Sequence, residues 1–276
     1  MRPVKTIVGL AVVIAAALCA TPPRSMRMYV FDCATLKDRD PANYGLTRQQ
    51  MESPTESIDM SDPCFLIVHP RGTLLWETGL NDAVYDHPEG GGAKHDKIDK
   101  SLKSQLAAVG YQPKDITYLA ISHLHGDHSG NANDYAGSIW IAQKAERDYM
   151  FSADLPENIH PNEYAALKNS KTKLITGDYD VFGDGSAMLI LTPGHTPGHQ
   201  SLLVKLPKTG AVVLTGDLYH FPGERTFHTV PVNDKPETVA SRAKIEALIQ
   251  KNNAQLWIQH DIIGNRKLRK SPAFYE

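Results

Sequence analysis

The sequence predicts an α/β protein. Short, apolar, β-rich runs recur along the chain, each leading into a polar turn, and between them apolar residues return at the spacing of an amphipathic helix. Composition agrees: 41% hydrophobic and 22% charged residues, with 29 basic against 31 acidic side chains, is the balance of an ordinary soluble globular chain. A nucleic-acid partner is not expected, because it calls for a basic stripe to neutralise phosphates. The densest basic run, Arg266 to Lys270, is short and reads as a solvated tail. A length of 276 residues admits one large α/β domain or two small ones.

The chain begins with Arg2 and Lys5, followed by an apolar stretch from Ile7 to Leu18. Such a stretch, at about 1.5 Å per residue, is too short to cross a hydrocarbon core of about 30 Å. Small residues follow near Ala20, so residues 1–20 read as a cleaved signal peptide. Residues 21–276 then form one mature domain, exported to the periplasm or secreted, with no integral membrane span. Lipid attachment at Cys19 is disfavoured, since Leu18 stands where a small residue is wanted. After processing, Cys33 and Cys64 remain in strand-like runs, Tyr29 to Phe31 and Phe65 to Val68, that can pair as neighbours. A disulfide and two buried free thiols are both open.

Asp38 to Pro63 reads as a polar loop punctuated by proline, and Asn81 to His95 as a second loop containing Gly90-Gly91-Gly92; such loops commonly border sites. Gly72 to Thr78 is a turn and short strand. Ile98, Leu102, Leu106 and Val109 then recur at helical spacing until Gly110 stops the helix. The strand Tyr118 to Ile121 leads into the chemistry. Met188 to Leu191 precedes Thr192-Pro193-Gly194-His195, Ala211 to Leu214 precedes Thr215-Gly216-Asp217, and Leu256 to Ile258 precedes Gln259-His260. The last helix is expected from about Pro236 to Lys251, opened by Asn233 and Asp234, with Val239, Ala243, Leu248 and Ile249 on its apolar face.

The strongest motif is His123-Leu124-His125-Gly126-Asp127-His128, four metal-competent side chains within six residues. Side chains alternate along an extended strand end, so His123 and His125 can reach one cation while Asp127 and His128 turn toward a second. Gly126 and Gly130 permit the tight backbone path. Two sites need about three further ligands, and His199, Asp217 and His260 stand at strand ends where a rigid scaffold can hold them. The carboxylate of Asp217 suits a bridge between ions about 3.5 to 4 Å apart. Read individually, Asp217 is also open to reading as a strand terminator and His260 as a core residue. Imidazole and carboxylate donors suit zinc, and also iron, manganese or cobalt.

These motifs, together with the Pro-Gly-His-Thr-Pro-Gly-His stretch ending at His199, resemble the metallo-β-lactamase superfamily over nearly the whole mature chain. The resemblance implies an αββα sandwich, two mixed sheets flanked by helices, with two divalent metal ions at one edge. It implies His123, His125 and His199 on the first ion, Asp127, His128 and His260 on the second, Asp217 bridging, and His195 in a supporting role. Within the superfamily the chain most resembles the N-acyl-homoserine lactonases, through the run Ile139 to Glu146, through His199-Gln200-Ser201-Leu202, and through the spacing to the C-terminal histidine. Zinc β-lactamases lack the bridging aspartate. Two departures stand out: Glu77-Thr78-Gly79 replaces an Asp-Thr-Gly turn, and His220 occupies the position of a lactonase tyrosine, with Tyr219 one residue early.

The implied activity is opening of a lactone ring by a hydroxide shared between the metals, with Asp127 as proton shuttle and Tyr219 or His220 as donor to the oxyanion. The expected partner is a small lactone; a homodimer is left open. Alternatives are a promiscuous lactone, ester or phosphotriester hydrolase, β-lactamase-like activity, and a non-catalytic metal-binding protein.

Overall fold

Alternation of buried side chains along extended runs sets the architecture. In the computed structural model, which describes residues 25–53, 58–84 and 96–276, strand β1 (Arg27–Leu36) buries both of its faces. Met28 and Val30 point to one core while Tyr29, Phe31 and Cys33 point to another. The expected signal peptide, Cys19 and Gly90-Gly91-Gly92 lie outside the described residues.

The remaining strands are β2 (Met60–His69), β3 (Gly72–Trp76), β4 (Tyr118–Ala120), β5 (Ile139–Gln143), β6 (Thr172–Ile175), β7 (Tyr179–Asp180), β8 (Ala187–Leu191), β9 (Gln200–Leu206), β10 (Gly210–Leu214), β11 (Gln255–Trp257) and β12 (Phe274–Tyr275). They form two mixed sheets, one of seven strands in the order β12-β1-β2-β3-β4-β5-β6 and one of five in the order β11-β10-β9-β8-β7. As the sequence suggests, Tyr29 to Phe31 pairs antiparallel with the start of the β2 apolar run, Phe31 opposite Cys64.

Met28, Phe65, Ile67, Leu74 and Trp76 from the first sheet pack against Leu189, Leu202, Val204, Val212 and Leu214 from the second, making the layer between the sheets. Helices α1 (Leu102–Ala108), started by a Ser101 cap, and α3 (Lys144–Met150) cover the outer face of the first sheet through Leu102, Leu106 and Met150. Helix α5 (Glu237–Asn252), which follows the short α4 (Pro222–Phe227), covers the second through Ile245, set against Ile190, Leu203 and Val213. The result is the αββα sandwich. Each fully buried aliphatic side chain contributes about 1.5 to 3 kcal/mol to holding these layers together.

Strand direction places the site. β3, β4 and β5 are mutually parallel, so they all end at one edge of the first sheet. In the second sheet β9 is antiparallel to both β8 and β10, and β11 is parallel to β10, so β8, β10 and β11 also end together. The segments that follow these strands carry Glu77, His123 to His128, Glu146 in the first turn of α3, His195, Asp217 and His260.

Several readings need correction. β2 begins at Met60, so Asp62 and Pro63 belong to a strand rather than to the loop. Val239 is 59% exposed; α5 turns Thr238, Ser241, Arg242 and Ile245 inward, because it packs against polar site loops as well as the sheet. It is also not the last helix: α6 (Ile262–Lys267) follows, capped by Asp261 through the Gly264 amide. Arg266 to Lys270 is therefore no tail. It ends α6, Lys270 pairs with Asp32, and β12 returns to β1.

Cys33 and Cys64 form a disulfide across β1 and β2, closing a 31-residue separation. Such a closure stabilises by about 3 to 4 kcal/mol in the chain-entropy picture. The bond lies under the turn after β3, where a Cβ on Gly79 would meet Cys33 Cβ at 2.4 Å. No helix among the described residues is long and apolar enough to cross a membrane.

Candidate metal centre

The turn that leaves β4 runs through Ile121 and Ser122 before His123, so the first two histidines sit beyond the strand. They still share a direction, with His123 Nε2 2.8 Å from His125 Nδ1. The single turn of helix α2 (Gly126–Ser129) follows at once and swings Asp127 and His128 the other way. Asp217 reaches this loop from the opposite sheet. Gly216 holds φ +53°, and a Cβ there would stand 2.5 Å from Ser122 Cβ, so only glycine allows the approach. His260, just past β11, donates from Nδ1 to the Ser61 carbonyl at 2.8 Å and presents Nε2.

The donors fall into two groups. His123, His125, His195 and Asp217 form one, Asp127, His128 and His260 the other, and within each group one atom per residue lies within 4.8 Å of all the rest. Asp217 faces both. Its Oδ2 is 3.6 Å from His123 Nε2 and 3.4 Å from His195 Nε2, while its Oδ1 is 3.0 Å from both His128 Nε2 and His260 Nε2.

The residues fit two cations. His128 Nε2 and Asp217 Oδ1 are buried and, in spite of their 3.0 Å separation, neither makes a hydrogen bond. Buried polar atoms without partners are uncommon, and here they converge on shared points rather than on each other. Burial, reinforced by neighbouring imidazoles, holds His123 well below its ordinary pKa and lowers His125 to about 3, so both are in the neutral form that binds metal. Burial pulls the two carboxylates upward, but His128 and His260 outweigh it and hold Asp127 below, and Asp217 well below, the usual range. Neutral His123 and His125 and ionised Asp127 and Asp217 are donors suited to a dinuclear site, while the same carboxylates hold His128 and His260 above the ordinary histidine range, each with a proton that a cation would replace.

Residues 61–252 match the Metallo-beta-lactamase superfamily. The chain belongs to that superfamily. It is 31% identical to the N-acyl homoserine lactonase AttM of Rhizobium radiobacter over 265 residues, covering 91% of this chain and 98% of the relative. It is 30% identical to an N-acyl homoserine lactonase of a Bacillus species, covering 80% and 90%. The fold superposes with a TM-score of 0.75 on an N-acyl homoserine lactone hydrolase solved with the product N-hexanoyl-L-homoserine at its catalytic metal center, at 23% identity and with 91% and 99% of the two chains covered.

Within this metallo-beta-lactamase scaffold the structure reverses the roles read for two histidines. His199 is not in the donor groups. Its Nδ1 faces the Thr192 carbonyl at 3.1 Å, and its Nε2 accepts the Asp217 amide at 2.9 Å, so neither nitrogen is left for a metal. His195 takes the place instead, with Nδ1 2.9 Å from Asp234 Oδ1 and Nε2 3.0 Å from His125 Nδ1. In the structure His199 directly precedes β9 and its carbonyl accepts the Thr192 amide, whereas His195 lies four residues earlier in the loop; the sequence alone does not separate them.

The neighbours of Asp217 separate as clearly. Tyr219 points away, its hydroxyl donating to Glu246 at 3.2 Å and its ring lying under Arg242, so it is not a donor to the site. His220 points in, Nε2 3.1 Å from Asp217 Oδ2, with its ring 4.5 Å from that of Tyr44. Burial lowers the His220 pKa, but Asp217 and Glu224 overcome this and push it up to about 10. Glu224 also accepts the His220 and Phe221 amides and is paired with Arg242 at 2.8 Å. Glu77, a departure by sequence, accepts the Ser122 amide and lies 3.5 Å from His128 Nδ1. Tyr44, Asp234 and the Ser61 carbonyl were not identified from the sequence.

This geometry makes the two histidines of the loop distinguishable. His195→Ala should lose one of two bound ions by elemental analysis after metal loading, while His199→Ala should keep both. Equal retention by His195→Ala, or loss in His199→Ala alone, returns His199 to the ligand set.

Proposed function

We propose that the chain opens the lactone ring of N-acyl-homoserine lactones as a dinuclear metal-dependent hydrolase, with zinc as the favoured metal. The observation that carries this reading is Asp217, one carboxylate facing two donor groups, in a chain collinear with N-acyl homoserine lactonase AttM over 98% of that relative. The first ion would be held by His123, His125, His195 and Asp217, the second by Asp127, His128, His260 and Asp217. When bound, two divalent cations polarise a carbonyl and bring the pKa of water toward neutrality.

The chain's own groups then manage protons and charge. Asp127 has the most accessible side chain of the donor carboxylates, 23% against 5% for Asp217. It is the group placed to take a proton from the attacking water and return it to the leaving alkoxide, work that typically contributes about 10² to 10⁴ in rate. His220, fixed by Glu224 behind it, is placed to donate from Nε2 to the oxygen that gains negative charge. Tyr44 lies over its ring and shields it from water. The low solvent access of the His220 and Asp217 side chains, 4% and 5%, strengthens every such interaction.

We also propose that residues 1–20 direct export and that the mature chain is periplasmic or secreted. The apolar run from Ile7 to Leu18 supports this, as does a disulfide that suits an oxidising compartment. N-terminal sequencing of exported protein should begin near Ala20 or Thr21; active enzyme that retains Met1 in the cytosol overturns it.

Purified enzyme, compared across acyl-homoserine lactones, simple γ- and δ-lactones, a β-lactam and a phosphotriester, should show its highest kcat/KM on the acyl-homoserine lactones and lose that activity to a chelator. A higher kcat/KM on the phosphotriester or the β-lactam overturns the substrate assignment, and full activity in chelator overturns the metal mechanism.

His220→Ala should lower kcat by about 10² to 10³, the usual loss for one oxyanion donor, with both ions retained, and Tyr219→Phe should stay near wild type. The opposite ranking refutes the role given to His220.

A further inference from the structure

One buried carboxylate joins the two loops that carry the first donor group. Glu146, 3% exposed, lies in the first turn of α3, directly below the site edge. Its Oε1 accepts the Leu124 amide at 2.9 Å, and Leu124 is the residue between His123 and His125. Its Oε2 accepts the Thr196 hydroxyl at 2.7 Å and the Gly198 amide at 3.0 Å, in the loop that begins with His195. The loop sits on the helix with no space to spare: a Cβ on Gly198 would fall 2.2 Å from the Glu146 nitrogen and 2.6 Å from its Cβ. The second donor group has other supports, Glu77 behind His128 and the Ser61 carbonyl behind His260, while the Ser122 hydroxyl meets one histidine of each group.

We propose that Glu146 is the positioning residue that fixes the His123–His125 loop against the His195 loop, and so sets the affinity of the first cation site without touching the cation. This rests on the dinuclear reading above. The chemistry is directional. A carboxylate offers acceptors on both oxygens, one to each loop, and three converging donors leave it no rotational freedom. An amide of the same shape cannot do this: its NH₂ must face either the Leu124 amide or the Gly198 amide, a donor against a donor. One loop is then released, and the three imidazoles lose their common focus while Asp127, His128 and His260 keep theirs.

The test uses full-length protein loaded with Zn(II) and measures each ion's affinity by competition with a chelator, with circular dichroism and thermal melting as checks on folding. Wild type should hold two ions. Glu146→Gln should weaken one of them by about 10- to 100-fold, the usual effect of removing a group that orients a metal ligand, and leave the other within about threefold. The ion lost should be the one that His195→Ala loses, so the double variant loses no more. Activity of Glu146→Gln should return with excess Zn(II) at an unchanged KM. Thr196→Val, which removes one donor and little volume, should weaken the same ion by a smaller factor, and it decides the matter if Glu146→Gln does not fold. A folded Glu146→Gln or Thr196→Val with both affinities unchanged overturns the proposal, as does equal weakening of both ions. A wild-type chain that cannot hold two ions overturns the dinuclear reading and this inference with it.

Discussion

Each imidazole in this site has two nitrogens, and the site exists only because the fold determines which one is presented. His123 Nδ1 and His128 Nδ1 both meet Ser122 Oγ, at 2.9 and 3.1 Å, so a single hydroxyl orients one ligand of each donor group. His195 is set by Asp234 and His260 by the Ser61 carbonyl. Ligand histidines are generally held in this way, and the holding groups matter nearly as much as the ligands. The rest of the structure follows from meeting that demand. Ser122 must lie between the groups, Glu77 must bend to φ +65° to hold the Ser122 amide, and β2 must bring its Ser61 carbonyl under His260.

The two sheets make this possible by separating tasks. Their facing surfaces are apolar and tightly filled, while polar burial is concentrated where β3, β4, β5, β8, β10 and β11 end. Asp217 shows why the separation matters. It is a buried carboxylate, costly on its own, but it ends a strand of one sheet where histidines from both sheets surround it, and their opposite charge more than offsets its burial. A single carboxylate facing both donor groups is therefore stable only at the edge where both sheets deliver loops.

The fold was legible because period-two alternation and helical spacing are properties of short windows, and the six-residue histidine motif needs no distant partner to be recognised. What failed depended on distant partners. His195 and His199 are four residues apart in nearly the same setting, and only Asp234 and the Asp217 amide, 39 and 18 residues away, tell them apart. Tyr219 and His220 are adjacent, and the choice between them is made by Glu246 and Glu224. α5 looked like an amphipathic helix with Val239 inside, but the surface it meets is a polar loop, so Thr238, Ser241 and Arg242 take the buried positions. Lys270 looked like part of a solvated tail because Asp32 lies 238 residues earlier.

Two buried glutamates hold the loops of this site, and they solve the same electrostatic problem differently. Glu224 is paired with Arg242, whose guanidinium also binds the Leu218 and Thr229 carbonyls, so the segment that carries His220 is locked whether or not the site is loaded. Glu146 faces only dipoles, two amides and a hydroxyl, and burial pushes its carboxyl up to about 7. A carboxylate with no cation at hand is stabilised when positive charge arrives nearby, because screening is weak in a buried site. A cation at the first group would therefore favour the ionised Glu146 that holds the two loops together, and the ionised Glu146 would in turn favour loading. Metal binding and loop order are then linked terms of one equilibrium. On the proposed dinuclear reading the His123–His125 and His195 loops would gain order when a cation binds, whereas the His220 segment beside them is fixed beforehand by Arg242.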